Sequence, residues 1–394
     1  MSGYQPVSFD NTKIAFAGKS NNELNRAYLL FRAMNNNFLV KIGPGLVNVA
    51  LTLKLPIKGL IKSTIFAHFC GGETIKECDK KILELYRYKI GTILDYSVEG
   101  KETERDFENC VNETIATVHR AKGDPAIPFS VFKVTGLAPF GLLEKVSARQ
   151  ELGEVDTKEF EKVRDRVDRI CKAAFEMDVR IFIDAEESWI QNAIDLLAES
   201  MMEKYNREHA IVYNTIQLYR TNGLSFLKGS FEKAQGGSYH LGVKLVRGAY
   251  MERERSRAEK LGYPSPIQPD KEASDRDYNE ALRFAVDNCD RISICAGTHN
   301  EHSSLLLVEL LQKKGAEPGD KRFFFSQLLG MGDHISYNLA DAGYNVAKYV
   351  PYGPVTAVLP YLFRRANENT SISGQTGREL GLIIRERARR RKGA

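Results

Sequence analysis

Two cationic side chains occur inside a stretch that otherwise has the composition of a buried β-strand. Residues 241–252 read LGVKLVRGAYME, so Lys244 and Arg247 lie among apolar residues before the chain reaches Gly248. Buried cations are rare unless they pair with an anion or contact a ligand. The pattern therefore predicts an anion or an electron-rich ring near the end of this strand.

A second cationic group follows the last strand-like run. In PVTAVLPYLFRRANENTS the side chains of interest are spaced i, i+3, i+4 and i+7, which places them on one helical face. They are Tyr361, Arg364, Arg365 and Glu368. Two adjacent guanidinium groups offer forked donors that suit a carboxylate. A solvated basic turn with an internal Glu–Arg pair is the alternative explanation.

Acidic residues offer a competing chemistry. In IDAEE (183–187), Asp184 and Glu186 are two residues apart and share a face if the segment is a strand, with Glu187 adjacent. Such a pair could serve glycoside hydrolysis. The cations named above suit a small anionic substrate or a phosphate-bearing cofactor better than a neutral sugar.

No metal site or familiar nucleophile motif is expected. The group HNEH (299–302) lacks the HExxH spacing of a metal hydrolase, and neither GxSxG nor a Walker A loop occurs. We expect His299 to be a hydrogen-bonding residue at a strand end and His302 to begin the next helix, exposed to solvent.

Eight short apolar runs, rich in β-branched and aromatic residues, alternate with amphipathic stretches. Eight strand–helix units over roughly 300 residues predict a (β/α)8 barrel, with an open doubly wound sheet as the alternative. The lack of GxGxxG after the first run favours the barrel. The runs are 89–99, 128–136, 179–187, 211–219, 242–250, 291–300, 322–330 and 345–353.

Nearly every run begins apolar and ends polar. The active site of a (β/α)8 barrel lies at the C-terminal ends of its strands, so these endings predict one cavity lined by polar groups. From the residues alone, the chain is a barrel enzyme whose cationic mouth can hold a carboxylate. The endings are Glu99, Lys133, Asp184, Gln217, Lys244 with Arg247, His299, Gln327 and Tyr349.

The composition sets the remaining bounds. The 394 residues are 43% hydrophobic and 27% charged, which is typical of a soluble globular protein. We expect residues 1–88 to form a helical arm and residues 89–394 to form the barrel. Six scattered cysteines without a CxxC pair predict reduced thiols, and no secretory signal is evident at the N-terminus.

The net charge of +5 is concentrated in the tail RERARRRKGA (385–394), where we expect a solvated, frayed helix end. Contact of the tail with an anionic membrane is an alternative, and nucleic-acid binding is not expected. The apolar stretch 46–70 is interrupted by lysines and a proline, so we expect it to pack on the main domain and not to cross a bilayer.

Seven motifs occur in the order found in proline dehydrogenases, and the sequence resembles that family from about residue 89 to 371. They are KLVRGAYMERER (244–255), IDAEE, YNTIQLY, AGTHNEHS, FSQLLGMGD, KYVPYGPV and YLFRRANEN. The chain is similar to the single-function, eukaryotic-like form, without the aldehyde-dehydrogenase half of the bifunctional bacterial members.

The resemblance implies a distorted (β/α)8 barrel that holds FAD without a Rossmann fingerprint. It implies oxidation of L-proline to Δ1-pyrroline-5-carboxylate by hydride transfer to flavin N5, with electrons passed on to a membrane quinone. This is the first step of proline catabolism, and a separate pyrroline-5-carboxylate dehydrogenase would act downstream. We expect a cytoplasmic enzyme, with peripheral contact to the inner face of the membrane as an option, or a mitochondrial one in a eukaryote.

The same resemblance implies how the substrate is bound. Arg364 and Arg365, on a final helix over the barrel mouth, would clamp the proline carboxylate with Lys133, and Glu99 would steady the arginines. The pocket for the proline ring would be formed by Tyr349, Tyr361, Leu328 and Asp184.

Residues implied to contact the flavin or to order the site make up a longer set. They are Asp184, Ala185, Gln217, Lys244, Val246, Gly248, Ala249, Tyr250, Thr298, His299, Asn300, Gln327 and Glu368.

Lys244 departs from the bifunctional bacterial members, in which an arginine meets the N5 edge of the flavin. Lysine supplies a point charge in place of a planar fork, and eukaryotic members also carry lysine here. We expect Lys244 to face the flavin where negative charge develops. Arg247, on the opposite face of the strand, should pair structurally outside the barrel lumen. Gly248 should let the backbone approach the cofactor.

Tyr349 bears on substrate choice. Related hydroxyproline dehydrogenases carry a smaller residue at this position, which leaves room for the 4-hydroxyl group. The resemblance therefore favours proline as the substrate, with hydroxyproline as the alternative within the same family.

Overall fold

Eight parallel strands dominate the architecture of the protein. The computed structural model describes residues 6–34, isolated residues between 43 and 53, and residues 55–97, 102–371 and 375–393. Of residues 366–371, 375 and 376, only the backbone is described. Where the sequence-based expectations concern other residues, they lie outside the described part of the chain.

The strands follow one another around a closed barrel in the order β1 to β8. Each of the eight apolar runs overlaps one strand, so the predicted (β/α)8 barrel is confirmed and the open doubly wound sheet is wrong. Runs rich in β-branched and aromatic residues become buried strands because these side chains pack well on a pleated surface. The strands are β1 Ile90–Tyr96, β2 Phe129–Phe132, β3 Arg180–Ile183, β4 Val212–Gln217, β5 Leu241–Val246, β6 Ile292–Gly297, β7 Phe323–Leu328 and β8 Val346–Tyr352.

By internal packing the chain divides into two compact units, residues 100–326 and residues 1–99 with 327–394. The bounds of these units differ from the predicted division into an arm (1–88) and a barrel (89–394). That division stays a prediction. Each unit is described separately below.

The unit of residues 100–326 contains β2 to β6 and most of β7. An aromatic cluster lies at its centre, where Phe129 stacks on Phe182 with ring centroids 4.3 Å apart and meets Tyr213 and Phe324 edge-on. Helices alternate with these strands along the chain. They are Glu104–Ala121, Phe140–Ser147, Glu154–Glu176, Ser188–Tyr205, Gly223–Gly236, Met251–Leu261, Lys271–Asp287 and Glu301–Lys314, with a 3-10 turn at Val134–Gly136.

Helix Glu104–Ala121 illustrates why these segments are helical. Thr103 caps its first turn by accepting a hydrogen bond from the amide of Asp106 at 3.2 Å. Phe107, Val111 and Val118 recur at helical spacing and are buried. The amphipathic pattern therefore fixes both the start of the helix and the face that it buries.

The unit of residues 1–99 and 327–394 contains β1 paired with β8 in parallel, from Ile90 opposite Val346 to Tyr96 opposite Tyr352. Its helices come from both ends of the chain. They are Thr12–Ala15, Asn21–Met34, Lys58–Ile61, Ala67–Phe69, Ile75–Tyr86, Asp333–Asp341, Leu359–Ser371 and Gln375–Arg391, with a π-helical turn at Lys62–Phe66.

The described part of the apolar stretch 46–70 is folded into this unit. Ile61, Phe66 and Phe69 belong to a buried cluster that also contains Val358 and Leu362. The expectation that the stretch packs on the protein is confirmed for these residues. Among the described helices, none is both long and apolar enough to cross a membrane.

The basic tail is docked on the N-terminal segment. Leu382 and Ile383 share a core cluster with Phe16 and Phe31. Arg390 donates to the carbonyls of Phe16 and Lys19, each at 2.8 Å. The expectation of a solvated, frayed helix end for 385–394 is therefore wrong for Glu386 and Arg390, which are held against the N-terminal segment or buried, whereas residues 391–393 are exposed as expected.

Candidate active site

Most of the predicted site residues lie in the C-terminal half of a strand or just beyond it, and (β/α)8 barrels carry their active sites at that end. Asp184 and Ala185 follow β3, Gln217 ends β4, and Lys244 and Val246 are in β5. The remaining described positions follow the same rule. Gly248, Ala249 and Tyr250 lie between β5 and its helix, Thr298, His299 and Asn300 follow β6, Gln327 and Leu328 end β7, and Tyr349 is in β8.

Asp184 lies between two lysines in the unit of residues 100–326. One carboxylate oxygen accepts a hydrogen bond from the Lys133 ammonium at 3.0 Å, and the other accepts one from Lys244. Burial alone would raise the pKa of Asp184, but the charges of Lys133 and Lys244 hold it well below its ordinary value. Asp184 is therefore an anion at neutral pH and fixes both cations.

Lys244 is also close to an aromatic ring. Its ammonium lies 5.0 Å from the centroid of the Phe182 ring, and the residue is only 5% exposed. The anion anticipated for this buried lysine is thus Asp184, and a cation–π contact adds to it. In this arrangement two lysines share the carboxylate of Asp184.

Glu186 has a different role from Asp184, although both belong to the IDAEE segment. Its carboxylate accepts hydrogen bonds from the amide and hydroxyl of Thr135, just beyond β2. Its main-chain carbonyl accepts a hydrogen bond from the Gln217 side chain at 2.8 Å. Burial raises the pKa of Glu186 to about 7, against the opposing effect of the Thr135 hydrogen bonds. Glu186 thus joins β2, β3 and β4 next to Lys133.

Arg247 pairs as expected from its position on the strand. Its guanidinium donates to Asp275 at 2.6 Å, to Thr298 at 2.9 Å and to Ser303 at 2.9 Å. It also lies 4.4 Å from the centroid of the Tyr278 ring. The prediction that Arg247 forms structural pairs is confirmed.

Gly248 adopts φ +142°, a value that strongly favours glycine. A Cβ atom at this position would lie 2.3 Å from the ring of Tyr219. The protein's own packing therefore accounts for the glycine. The approach of the backbone to a cofactor here remains a prediction.

The loop after β6 is held by its own side chains. The Thr298 amide donates to the Ser326 carbonyl at 3.1 Å, and the Thr298 hydroxyl accepts from the Asn300 amide at 3.1 Å. Asn300 then caps helix Glu301–Lys314 by accepting from the Ser303 amide at 3.0 Å. His302 is exposed at the start of this helix, as predicted.

The paired arginines lie on a helix, Leu359–Ser371, in the other unit. Arg365 is buried and its guanidinium carbon lies 5.2 Å from the centroid of the Tyr361 ring. Arg364 is half-buried. The buried ring of Tyr361 belongs to the same apolar cluster against which Leu328 packs. The predicted helix is confirmed, and it places the guanidinium of Arg365 next to the Tyr361 ring and the apolar cluster.

Two expected residues cannot be placed. Glu99 lies outside the described residues, and the side chain of Glu368 lies outside the described part of its helix. Their implied roles stay predictions.

The sequence reasoning missed a second buried ion network, in the unit of residues 1–99 and 327–394. Lys348 of β8 pairs with Asp333 at 2.9 Å, and Asp333 also pairs with Lys19 at 2.8 Å. The signal was available, because Lys348 interrupts the apolar run NVAKYVPYG as Lys244 interrupts its own run. It also missed Thr135, which no local pattern connects with Glu186.

The fold and this arrangement of charges define a (β/α)8-barrel enzyme with a cationic group at its strand ends. The family model for proline dehydrogenase matches residues 78–378. The chain belongs to the proline dehydrogenase family, and it is an oxidoreductase. This confirms the predicted family and, with it, proline oxidation as the class of reaction.

Individual relatives agree with this assignment. The chain is 32% identical to "Proline dehydrogenase 1, mitochondrial" of Dictyostelium discoideum, over 98% of this chain and 75% of that protein. It is also 32% identical to the hydroxyproline dehydrogenase of Xenopus laevis, over 95% of this chain and 88% of that protein. Both substrates within the family are thus represented among its relatives.

A solved structure supports the fold. Proline utilization A from Bdellovibrio bacteriovorus, inactivated by N-propargylglycine, superimposes with a TM-score of 0.72 at 19% identity. The match covers 94% of this chain and 40% of that longer chain. The family consists of flavoenzymes in general.

Proposed function

We propose that this protein oxidises L-proline to Δ1-pyrroline-5-carboxylate with FAD as the immediate electron acceptor. The observation that carries the proposal is the group Lys133–Asp184–Lys244 in a chain of this family, with Asp184 and Lys244 buried and Lys133 partly buried. An ammonium held in a fixed place in a water-poor site stabilises negative charge that develops during reaction.

The residues of the unit 100–326 fit a flavin. A flavin presents ring nitrogens and carbonyl oxygens that need hydrogen-bond donors, and it becomes more negative on reduction. The set offers a buried ammonium at Lys244 and polar side chains after β6. Helix Met251–Leu261 begins after Tyr250 without a side-chain cap, and the N-terminus of a helix suits a phosphate-bearing group.

We assign the flavin to the residues implied by the family resemblance. They are Asp184, Ala185, Gln217, Lys244, Val246, Gly248, Ala249, Tyr250, Thr298, His299, Asn300, Gln327 and Glu368. Bound FAD would accept a hydride and so supply the oxidising power that side chains lack.

The substrate carboxylate is assigned to Arg364 and Arg365, with Lys133 as a third cation and Glu99 as the acid that steadies the arginines. Forked guanidinium donors match the two oxygens of a carboxylate. Contact with the Tyr361 ring restricts Arg365 in advance, which reduces the entropy lost on binding. The ring of proline is assigned to Tyr349, Tyr361 and Leu328.

The chain itself needs to bind and orient the substrate and to exclude water from the site. Proline enters with a neutral amine, a hydride leaves Cδ, and the amine proton is released as the Cδ–N double bond forms. Positioning of this kind can supply about 7–11 kcal/mol of the barrier reduction. Asp184 contributes by holding Lys133 and Lys244 in fixed places, and its low pKa keeps it ionised.

Two alternatives to proline oxidation were open, a carboxylate-pair hydrolase from the residues and hydroxyproline oxidation from the family resemblance. The carboxylate-pair hydrolase is excluded by family membership, and Asp184 is committed to two lysines. Hydroxyproline remains the second candidate substrate, since a hydroxyproline dehydrogenase is among the relatives. Tyr349 favours proline, because it is larger than the residue that the resemblance associates with hydroxyproline.

The proposed surroundings follow from the same reaction. A membrane quinone would reoxidise the flavin, and a separate pyrroline-5-carboxylate dehydrogenase would consume the product. We assign the protein to mitochondria if its source cell has them, since the Dictyostelium relative is named mitochondrial, and otherwise to the cytoplasm with peripheral membrane contact.

An anaerobic absorption spectrum of the purified protein tests the proposal. We expect a flavin spectrum that bleaches when L-proline is added and bleaches much less with trans-4-hydroxyproline. A flavin that proline cannot bleach would overturn the substrate. Protein that stays colourless after incubation with FAD would overturn the cofactor.

The role of Lys244 is tested separately through the flavin midpoint potential. Lys244→Met should lower the potential, because the cation no longer stabilises the reduced, more negative flavin. Lys162→Met, at an exposed lysine on helix Glu154–Glu176, is the control and should leave the potential unchanged. An unchanged potential in Lys244→Met would show that this lysine does not face the flavin.

A further inference from the structure

Lys348 is a completely buried lysine in β8, next to Tyr349. Burying an ammonium group is costly unless its three donors are all used. Here the ammonium donates to Asp333 at 2.9 Å, to the Leu328 carbonyl at 3.4 Å and to the Met331 carbonyl. Among the described residues, all the hydrogen-bond partners of Lys348 therefore belong to one short segment, residues 328–333.

The segment runs from the last residue of β7, Leu328, to the first residue of the next helix, Asp333, and residues 329–332 form the turn between them. Gly330 and Gly332 have φ +79° and φ +61°, in the left-handed region, so the chain turns sharply twice. Outside the segment, the Leu329 amide donates to the Tyr349 carbonyl at 2.8 Å and the Gly332 amide donates to Glu379 at 2.6 Å. Side chains and single backbone contacts hold the segment in place.

The far side of Asp333 is held by the N-terminal segment. Its second carboxylate oxygen pairs with Lys19 at 2.8 Å. The pKa of Asp333 would be raised by burial, but Lys19 and Lys348 keep it well below its ordinary value. Asp333 is thus an anion shared by two cations, and removing Lys348 would still leave it paired.

We propose that Lys348 is a positioning residue that sets the distance between Leu328 and Tyr349 and thereby the fit of the proline ring. Leu328 is tied to Lys348 through its carbonyl, and Tyr349 is the next residue along β8. The ammonium therefore connects the two walls of the ring pocket through the main chain. This inference rests on the proposed function of Leu328 and Tyr349 in binding that ring.

The variant Lys348→Met tests it, since methionine fills a similar volume and cannot donate. We expect KM for L-proline to rise about tenfold, because small misplacements in a site carry costs of this order. The ratio of kcat/KM for L-proline to kcat/KM for trans-4-hydroxyproline should fall, also by about tenfold. Flavin content should stay at the wild-type level.

Two competitive inhibitors separate ring fit from carboxylate binding. The inhibition constant of cyclopentanecarboxylate, which has the ring, should rise with KM in Lys348→Met. That of acetate, which lacks the ring, should stay unchanged. Glu386→Gln is the stability control, because it weakens a buried ion pair on the C-terminal helix and should keep both substrate preference and inhibition constants.

If Lys348→Met does not fold, the double variant Lys348→Met/Asp333→Asn takes its place, since it removes one buried charge of each sign. A variant that loses stability but keeps the wild-type substrate ratio and both inhibition constants would overturn the positioning role alone. Wild-type protein that does not oxidise proline would overturn the proposed function as well.

Discussion

Lys244 in β5 and Asp184, the residue that follows β3, form a buried ion pair although they are 60 positions apart in the sequence. The second oxygen of Asp184 holds Lys133, 51 positions away. A single carboxylate thus fixes both cations of this group. Its removal should affect stability and catalysis together.

Asp184→Asn should lower the free energy of unfolding at pH 7 by about 3 kcal/mol, because a buried lysine then lacks its counter-charge. Urea denaturation measures the change. The control is Asp165→Asn, whose largely exposed carboxylate pairs with Arg169 at 3.9 Å and whose loss should cost little. Equal losses in the two variants would contradict the buried character of the Asp184 pair.

The same substitution has a predictable pH dependence. The pKa of Asp184 is lowered in the folded protein, whereas an aspartate in the unfolded chain titrates near about 3.9. Its stabilising contribution is therefore complete above about pH 4 and is lost as the pH falls through the folded pKa. The difference in free energy of unfolding between wild type and Asp184→Asn should become smaller in acid. A difference that does not change with pH would contradict the lowered pKa of Asp184.

Glu186 should show the opposite pH dependence. Its pKa is about 7 in the folded protein and about 4.3 when unfolded, so wild-type stability falls as the pH rises through this window. Glu186→Gln lacks this effect. Between pH 5 and 7 the free energy of unfolding of the variant should therefore rise, relative to that of wild type, by up to about 1.4 kcal/mol per pH unit. Urea denaturation at several pH values checks this, and a pH-independent difference would contradict it.

Arg365→Met should raise KM for proline by roughly 100-fold while FAD stays bound, since losing one partner of a buried charge pair costs about 2–5 kcal/mol. Steady-state kinetics and the flavin spectrum measure the two effects. Arg365→Lys keeps the positive charge but lacks the forked donors of arginine, so its KM for proline should lie between those of wild type and Arg365→Met. An unaltered KM in Arg365→Met would end the clamp assignment.

Tyr349 should control the choice between proline and hydroxyproline. Tyr349→Ser is expected to raise the kcat/KM ratio of trans-4-hydroxyproline to proline about tenfold, because it opens space for the additional hydroxyl. Tyr349→Phe keeps the ring and should keep the wild-type preference. If wild type turned over both substrates equally well, the preference for proline would be refuted.

Glu386 should be the residue that secures the C-terminal helix. It is fully buried and accepts from Arg389 and Arg390 at 2.8 and 2.7 Å. Glu386→Ala should lower the free energy of unfolding by at least about 1 kcal/mol, because it leaves these guanidinium groups underpaired. Asp10→Asn, at an exposed ion pair with Arg385, is the control and should change stability little.

Several features were determined by the sequence itself. The eight apolar runs each became a strand, and the spacing of Tyr361, Arg364 and Arg365 gave a helix, because the period of apolar residues is a local property. The positions of Lys133, Asp184 and Lys244 near strand ends also followed, since each run passes from apolar to polar residues.

Other features were decided only by the tertiary structure. Nothing in IDAEE indicates that Asp184 binds two lysines while its near neighbour Glu186 binds Thr135 and takes a pKa of about 7. The docked basic tail and the pair Lys19–Asp333 likewise join residues more than 300 positions apart in the sequence. Burial and pairing set these charges, and both depend on which distant segments pack together, a quantity that local spacing does not contain.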